Sequence, residues 1–181
     1  ITSQVKRWVK RYAEEINLHA TRARLPSSGP RVVIFPSNGP WDPSSYLRAW
    51  LIGPELERLG WRVIVVPPSL DLRQRQRVVR KERPDVILMH QTRHPLNQPA
   101  LFAPTPVVLD ADDADCLDPK HTDRITRCAR DAACITGGSR FVARWLGQHN
   151  PKSRVIWTCS PPSRNTGSQL MPSISVGTVT A

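Results

Sequence analysis

Residues 31 to 66 read RVVIFPSNGPWDPSSYLRAWLIGPELERLGWRVIVV. A run of branched and aromatic apolar residues, Arg31 to Phe35, leads into a loop crowded with Pro, Gly, Asn and Ser. Leu47, Leu51, Leu56 and Leu59 then recur at helical spacing, Gly60 is placed to cap that helix, and Trp61 to Val66 forms a second apolar run. Neither run alternates apolar with polar residues, so both faces of each strand need cover, as in a parallel sheet flanked by helices. Pro54 falls inside the helical pattern and predicts a kink or a break.

The same grammar continues downstream. Leu70 to Arg83 is a polar, basic helix with Arg73, Arg77 and Arg80 on one solvated face, stopped by Pro84 before the strand DVILM at 85 to 89. A short helix is expected at 98 to 103 and a strand, PVVLD, at 106 to 110. HTDRITRCARDA, from 121, reads as a helix, ACIT as a strand and SRFVARWLGQH as a helix capped by Ser139. SRVIW, from 153, is a last strand. Alternating strands and helices give an α/β fold, a Rossmann-like parallel sheet with helices on both faces. Such sheets bind ligands beyond the carboxyl ends of their strands. The loops Ser37 to Ser45, His90 to Arg93, Asp110 to Asp115 and Thr136 to Ser139 all fall at that end.

A chain of 181 residues is enough for one ordinary domain with tails. Its formal charge of +11 suits an anionic partner: nucleic acid, a membrane surface or a phosphate-bearing ligand. Nucleic acid is not expected, because no basic run is interleaved with aromatics to stack bases. No stretch is long and apolar enough to span a bilayer, and none resembles a secretion signal, so a cytoplasmic location is expected. Val5, Trp8, Val9, Tyr12 and Ile16 predict an amphipathic helix over 3 to 20, followed by a breaker, PSSGP. That helix either packs on the domain or docks, through its cations, on a partner or an anionic membrane. Cys116, Cys128, Cys134 and Cys159 form no C-x-x-C pair, so ordinary thiols are expected rather than zinc with His121 or His149. His19 has no partner spacing.

The acidic stretch TPVVLDADDAD, 105 to 115, admits several chemistries. A phosphatase nucleophile of the haloacid dehalogenase type would use Asp110 with Asp112. However, three strands precede this one, and the later Lys with an acidic pair is lacking. Metal-dependent transferases of the GT-A type grip a divalent ion with D-x-D, but their nucleotide recognition begins at the first strand. No metal is therefore expected.

A third reading rests on several stretches together. The segment from Arg31 to Val66, with Tyr46, Arg48, Leu56, Leu59 and Gly60, resembles the amino-terminal half of GT-B glycosyltransferases. The closest likeness is to the large retaining family, family 4 or group 1. RPDVILMHQTR, TPVVLDADDAD and ACITGGSRFVARWLGQHNPKSRVIWTCSPP are similar to that family's later strands and helix, in order, as far as Pro162. SISVGTVTA, 173 to 181, resembles the opening strand and glycine turn of the family's second domain. After the basic amphipathic helix and linker over 1–30, the resemblance implies an acceptor-side domain over 31–162 and a linker with the start of a donor domain over 163–181. It also implies sugar transfer from a nucleotide-sugar donor to a saccharide, lipid-linked or small-molecule acceptor. Cations and helix ends would stabilise the leaving diphosphate, without a cofactor. Donor binding needs the second domain, so the fragment alone is expected to be inactive.

The resemblance and the loop positions nominate site residues. Asp110 and Asp113 are candidates to accept hydrogen bonds from acceptor hydroxyls or to take a proton, one of them capping the next segment instead. Ser37, Asn38 and Gly39 either turn amides toward a phosphate or acceptor, or make a plain strand-to-helix turn. Tyr46 and Arg48 either orient the acceptor or lie on the surface. Arg93 and Ser139 complete the rim, with a loop cation and a helix cap as their plainer roles. The alternative function is a non-catalytic Rossmann-like module that binds or senses a ligand.

Overall fold

A computed structural model describes residues 28–158 of the chain. Six strands form one all-parallel sheet in the order β2-β1-β3-β4-β5-β6. They are β1 (Arg31–Phe35), β2 (Arg62–Val65), β3 (Val86–His90), β4 (Val107–Ala111), β5 (Cys134–Gly137) and β6 (Ser153–Val155). The helices are α1 (Pro43–Ser45), α2 (Ile52–Arg58), α3 (Leu72–Glu82), α4 (Pro119–Asp131) and α5 (Arg140–Gly147). A π-helical turn, Tyr46–Trp50, joins α1 to α2, and 3-10 turns cover Pro99–Phe102 and Asp115–Leu117. The expected Rossmann-like α/β fold is therefore present. The chain steps from β1 out to β2, then returns past β1 to β3, so its progression reverses between those two neighbours. The loops leaving β1 and β3 diverge there and open the sheet's crevice.

Strand alternation divides the core by face. Val33, Phe35, Ile87, Met89, Leu109 and Ile135 pack with Val78 of α3, Ile125 of α4 and Leu146 of α5. Val32, Ile34 and Val63 pack with Ala49, and the half-buried Trp50, Leu56, Val86 and Leu88 close around them. Thus α3, α4 and α5 cover one face, while the α1-to-α2 segment covers β2, β1 and β3 on the other. In the pleat, His90 follows Leu88 by two residues and Asp110 follows Val108 by two. Both side chains therefore belong to the α1–α2 face at its carboxyl edge.

Local chemistry explains the boundaries. Gly60 adopts φ 86° and ends α2 as expected: its N–H bonds Glu57 O at 3.0 Å and that of Trp61 bonds Leu56 O at 3.0 Å, the paired bonds of a Schellman cap. The helical stretch from 46 to 60 is interrupted, as Pro54 leads one to expect, although the break takes the form of a π-helical turn upstream of the proline. Pro54 cannot donate to Trp50 O, and the turn just upstream widens so that Leu51 N–H bonds Tyr46 O at 2.8 Å. Helix formation also begins earlier than expected, because Asp42 caps Pro43–Ser45 by accepting from Ser45 N–H at 2.8 Å, with Pro at the first helical position. Asp71 and Gln74 build a capping box on α3, and Arg83 at φ 47° ends it before Pro84. Arg73, Arg77 and Arg80 are exposed, as the solvated-face reading expects. Arg75, between them, is fully buried. The helix expected over 3–20, the segment 163–181 and Cys159 lie outside the described residues.

Candidate functional site

His90 ends β3 with no exposed surface, and the loop after β1 closes over it. Its Nε2 lies 3.1 Å from Ser44 Oγ and 3.6 Å from Asp112 Oδ1. Its Nδ1 lies 3.3 Å from Ser37 Oγ and 3.4 Å from Ser45 Oγ. Ser44 donates its hydroxyl proton to Asp112 Oδ2 in a short bond, so its lone pairs are free to accept from His90 Nε2–H. In the neutral ring that leaves Nδ1 as an acceptor toward the two buried serines. Asn38 N–H, at 3.1 Å, fixes Ser45 Oγ, which is 3.1 Å from Ser37 Oγ. Three hydroxyls and a carboxylate thus surround one imidazole. The Asp-capped helix start supplies two of those hydroxyls.

Gln91 extends the cluster from an unusual backbone. It sits at φ 54°, a left-handed conformation uncommon for a residue with a side chain. Its own N–H donates to Asp110 O at 2.7 Å. From there Nε2 donates to Asp112 Oδ1, and it lies 3.2 Å from Asp113 Oδ2 and 3.3 Å from Ser44 Oγ. Burial raises the Asp112 pKa, but the hydrogen bonds from His90, Ser44 and Gln91 outweigh it and hold the carboxyl well below the usual carboxylate range. Asp112 is therefore an ionised acceptor, 11% exposed at the mouth of the crevice. Gly138, after β5, makes room for it. A Cβ at Gly138 would stand 2.6 Å from Asp112 Cα.

The strand ends are held from behind. Asn97 is buried and donates from Nδ2 to His90 O at 2.9 Å, Gln91 O at 3.0 Å and Phe35 O at 3.3 Å, tying the ends of β1 and β3 together. Arg75 Nη1 donates to Asn97 Oδ1 at 2.9 Å, and its other nitrogens reach Leu70 O and Pro68 O at 3.1 and 3.0 Å. Burial lowers this guanidinium's pKa to about 10. It still carries its charge at neutral pH, over the Phe35 ring 5.2 Å away.

The expected site residues separate into those brought together and those left apart. Ser37 is in the cluster. Asp110 and Arg48 meet each other rather than a ligand. Arg48 Nε donates to Asp110 Oδ2 at 2.7 Å and Nη2 to Oδ1, while Thr136 Oγ1 donates to Oδ1 at 2.5 Å. With 4% exposure for each residue, neither the rim role expected of Asp110 nor the acceptor contact expected of Arg48 matches this arrangement. Asp113 does reach the rim, where Arg93 Nη2 lies 2.8 Å from it and also grips Asp115. The hydrogen bond to Asp115 raises the Arg93 pKa, against the opposing effect of burial.

The other four follow plainer roles. Gly39 makes a turn, accepting from Asp42 N–H at 3.1 Å beneath the Trp41 ring, and a Cβ there would overlap that ring. Asn38 is exposed and accepts from Trp50 Nε1 at 3.1 Å. Tyr46 is 43% exposed at the start of the π-helical turn. Ser139 caps α5, accepting from Val142 N–H at 3.2 Å.

Ser44, Ser45, His90, Gln91, Asp112 and Thr136 all fall within the four loops expected at the carboxyl edge, but none of them was singled out as a site residue. One signal was available: Asp-Pro-Ser-Ser is a helix start, which sets two serines at the carboxyl edge facing the residue that ends the neighbouring strand. Among the described residues no group of three His, Cys, Asp or Glu is arranged to hold a metal ion, and Cys116 and Cys128 are buried free thiols. Among the described residues no helix is long and apolar enough to cross a membrane. A scan against protein-family models and a search of curated proteins each find no match to this chain.

Proposed function

We propose that this chain is the acceptor-side part of a GT-B glycosyltransferase. In this reading it holds a hydroxyl-bearing acceptor, a saccharide, a lipid-linked sugar or a small molecule, for transfer from a nucleotide-sugar donor. The observation that carries the reading is the His90–Ser44–Asp112 constellation at the sheet's switch point. Transfer to an alcohol requires a place where the alcohol is oriented by a strong hydrogen-bond acceptor. Asp112 is ionised, Ser44 and Gln91 offer a hydroxyl and an amide beside it, and His90 stands behind them. An acceptor hydroxyl approaching the crevice meets Asp112 and Ser44 first. His90, closed to solvent, acts through Ser44 and the carboxylate rather than by direct contact. Asp112 and His90 thus replace Asp110 as the proposed centre, with Asp113 on the rim. Donor binding is assigned to a second domain outside the described residues.

The engagement of both Asp110 oxygens by Arg48 and Thr136 also suits the alternative, a non-catalytic ligand-binding module. One experiment separates the two. The protein expressed from its full reading frame is incubated with nucleotide-sugars and candidate acceptors, and nucleoside diphosphate release is measured. Acceptor-dependent release that disappears in Asp112→Asn supports transfer. Ligand-induced thermal stabilisation with no release from any donor supports the binding module.

A further inference from the structure

The two covered faces of the sheet differ sharply in charge. On one face, α3 carries five cations and one carboxylate, α4 four and two, and α5 two and none. On the other, the α1-to-α2 segment carries two of each. The excess is arranged in outward stripes. Arg73, Arg77 and Arg80 are exposed at spacings of four and three on α3. Lys120 and Arg127, two turns apart on α4, are also exposed, as are Arg140 and Arg144, one turn apart on α5. Not every cation points outward, since Arg75 is buried and Arg124 is half-buried with Nη1 donating to Thr92 O at 3.3 Å.

We infer that the α3–α4–α5 face docks on an anionic lipid bilayer. The inference rests on this charge distribution and stands whether or not the site transfers sugar. Helices side by side on a sheet make a broad layer rather than a groove, with axes about 10 Å apart, which suits a planar surface better than a duplex. No large apolar or aromatic side chain is exposed on α3 or α4, so single-stranded bases have no stacking platform there. Apolar tips occur instead at one border. Leu117, just before α4, is 66% exposed, and Phe141, in the first turn of α5, is 51% exposed. Lys120 and Arg140 flank them, and cations beside exposed apolar side chains are the composition of an interfacial contact. These helices run antiparallel to the strands, so the border with Leu117 and Phe141 lies at the carboxyl edge, the same edge as Asp112. The docking contact is distinct from the one expected of the amino-terminal helix.

The test is co-sedimentation of the 181-residue protein with vesicles of phosphatidylcholine alone or with about one third phosphatidylglycerol. Binding is expected only to the anionic vesicles and weakens as salt shortens the screening length. At roughly fivefold per cation, the triple variant R73Q/R77Q/R80Q weakens partitioning on the order of 100-fold, and R73K/R77K/R80K restores it. K6Q/R7Q/K10Q removes the same charge from the amino-terminal segment and is expected to retain most binding. An unchanged melting temperature establishes that each variant is folded. The inference is overturned if K6Q/R7Q/K10Q abolishes binding while the α3 variant keeps it. It is equally overturned if the protein ignores anionic vesicles but binds a structured RNA through the α3 arginines.

Discussion

Arg48 and Asp110 form a two-pronged ion pair whose side chains are each 5% exposed, and the remaining Arg48 nitrogen donates to Ile156 O and Thr158 Oγ1 at 3.0 and 2.9 Å. One guanidinium therefore joins the π-helical turn, the end of β4 and the chain leaving β6. Removing one partner strands the other charge in a buried site. Arg48→Met is expected to destabilise the fold by about 3–5 kcal/mol in urea denaturation. The double variant Arg48→Met/Asp110→Leu should recover most of that loss, since neither charge then needs solvation. Equal losses in single and double variants would show that shape, not charge, dominates at this position.

The proposed reaction separates two neighbouring carboxylates. Asp112 is ionised and linked to His90, whereas Asp113 is 48% exposed and paired with Arg93. If the protein transfers sugar as proposed, Asp112→Asn and His90→Ala should each lower acceptor-dependent turnover by about 100-fold or more. Asp113→Asn should act mainly on acceptor KM. Comparable kcat losses in all three variants would remove the distinction drawn between centre and rim.

Much of the fold was legible because its signals are local. Continuous apolar runs, Gly60 at a helix end, Pro84 after a basic helix and Ser139 before another set the elements almost residue by residue. The site was less legible, since it depends on which loop closes over which strand. Sequence order directs attention to Asp110 because it ends an apolar run. Only the pairing of β3 with β4, which aligns His90 with Asp110, together with the path of residues 36–45, shows Asp110 facing Arg48 and Asp112 facing His90. Arg75 was hidden for a related reason. A polar, basic helix reads as solvated throughout, and nothing in its spacing reveals that one arginine turns inward to hold Asn97.

Gly138 supplies a test that leaves every polar group of the site in place. A methyl group there would stand 2.6 Å from Asp112 Cα and 3.0 Å from Asp112 O, both backbone atoms that cannot yield as a flexible side chain would. Gly138→Ala should cost about 1–3 kcal/mol and move Asp112 away from Ser44 and His90. In the proposed reaction its kcat should therefore resemble that of Asp112→Asn, while Gly147→Ala, whose nearest neighbour would be 3.7 Å away, should leave kcat unchanged. Wild-type kcat in Gly138→Ala would mean that the crevice tolerates a displaced Asp112.

His94 links acid sensitivity to the support behind the site. Its Nδ1 accepts from Leu96 N–H at 3.1 Å, so Nε2 carries the proton and donates to Pro68 O at 2.9 Å, with Arg75 Nη2 3.2 Å away. Burial, and then the Arg75 charge, lower its pKa to about 4, against a smaller opposing effect of the Pro68 bond. The unfolded chain, with histidine near 6.5, takes up the proton first as pH falls. The stabilisation is thus fully present above about pH 6.5 and is lost between there and about pH 4. Because the ring is only partly buried, about 2 kcal/mol is expected rather than the full value of the shift. Urea titrations at about pH 7 and pH 4.5 measure it, and His94→Gln should flatten the difference. Asp112, whose folded carboxyl is held below the ordinary range, adds its own loss from about pH 5 downward, where the unfolded carboxyl begins to take up a proton that the folded one does not. If His94→Gln retains the whole slope, the acid-sensitive contact lies elsewhere than at Arg75.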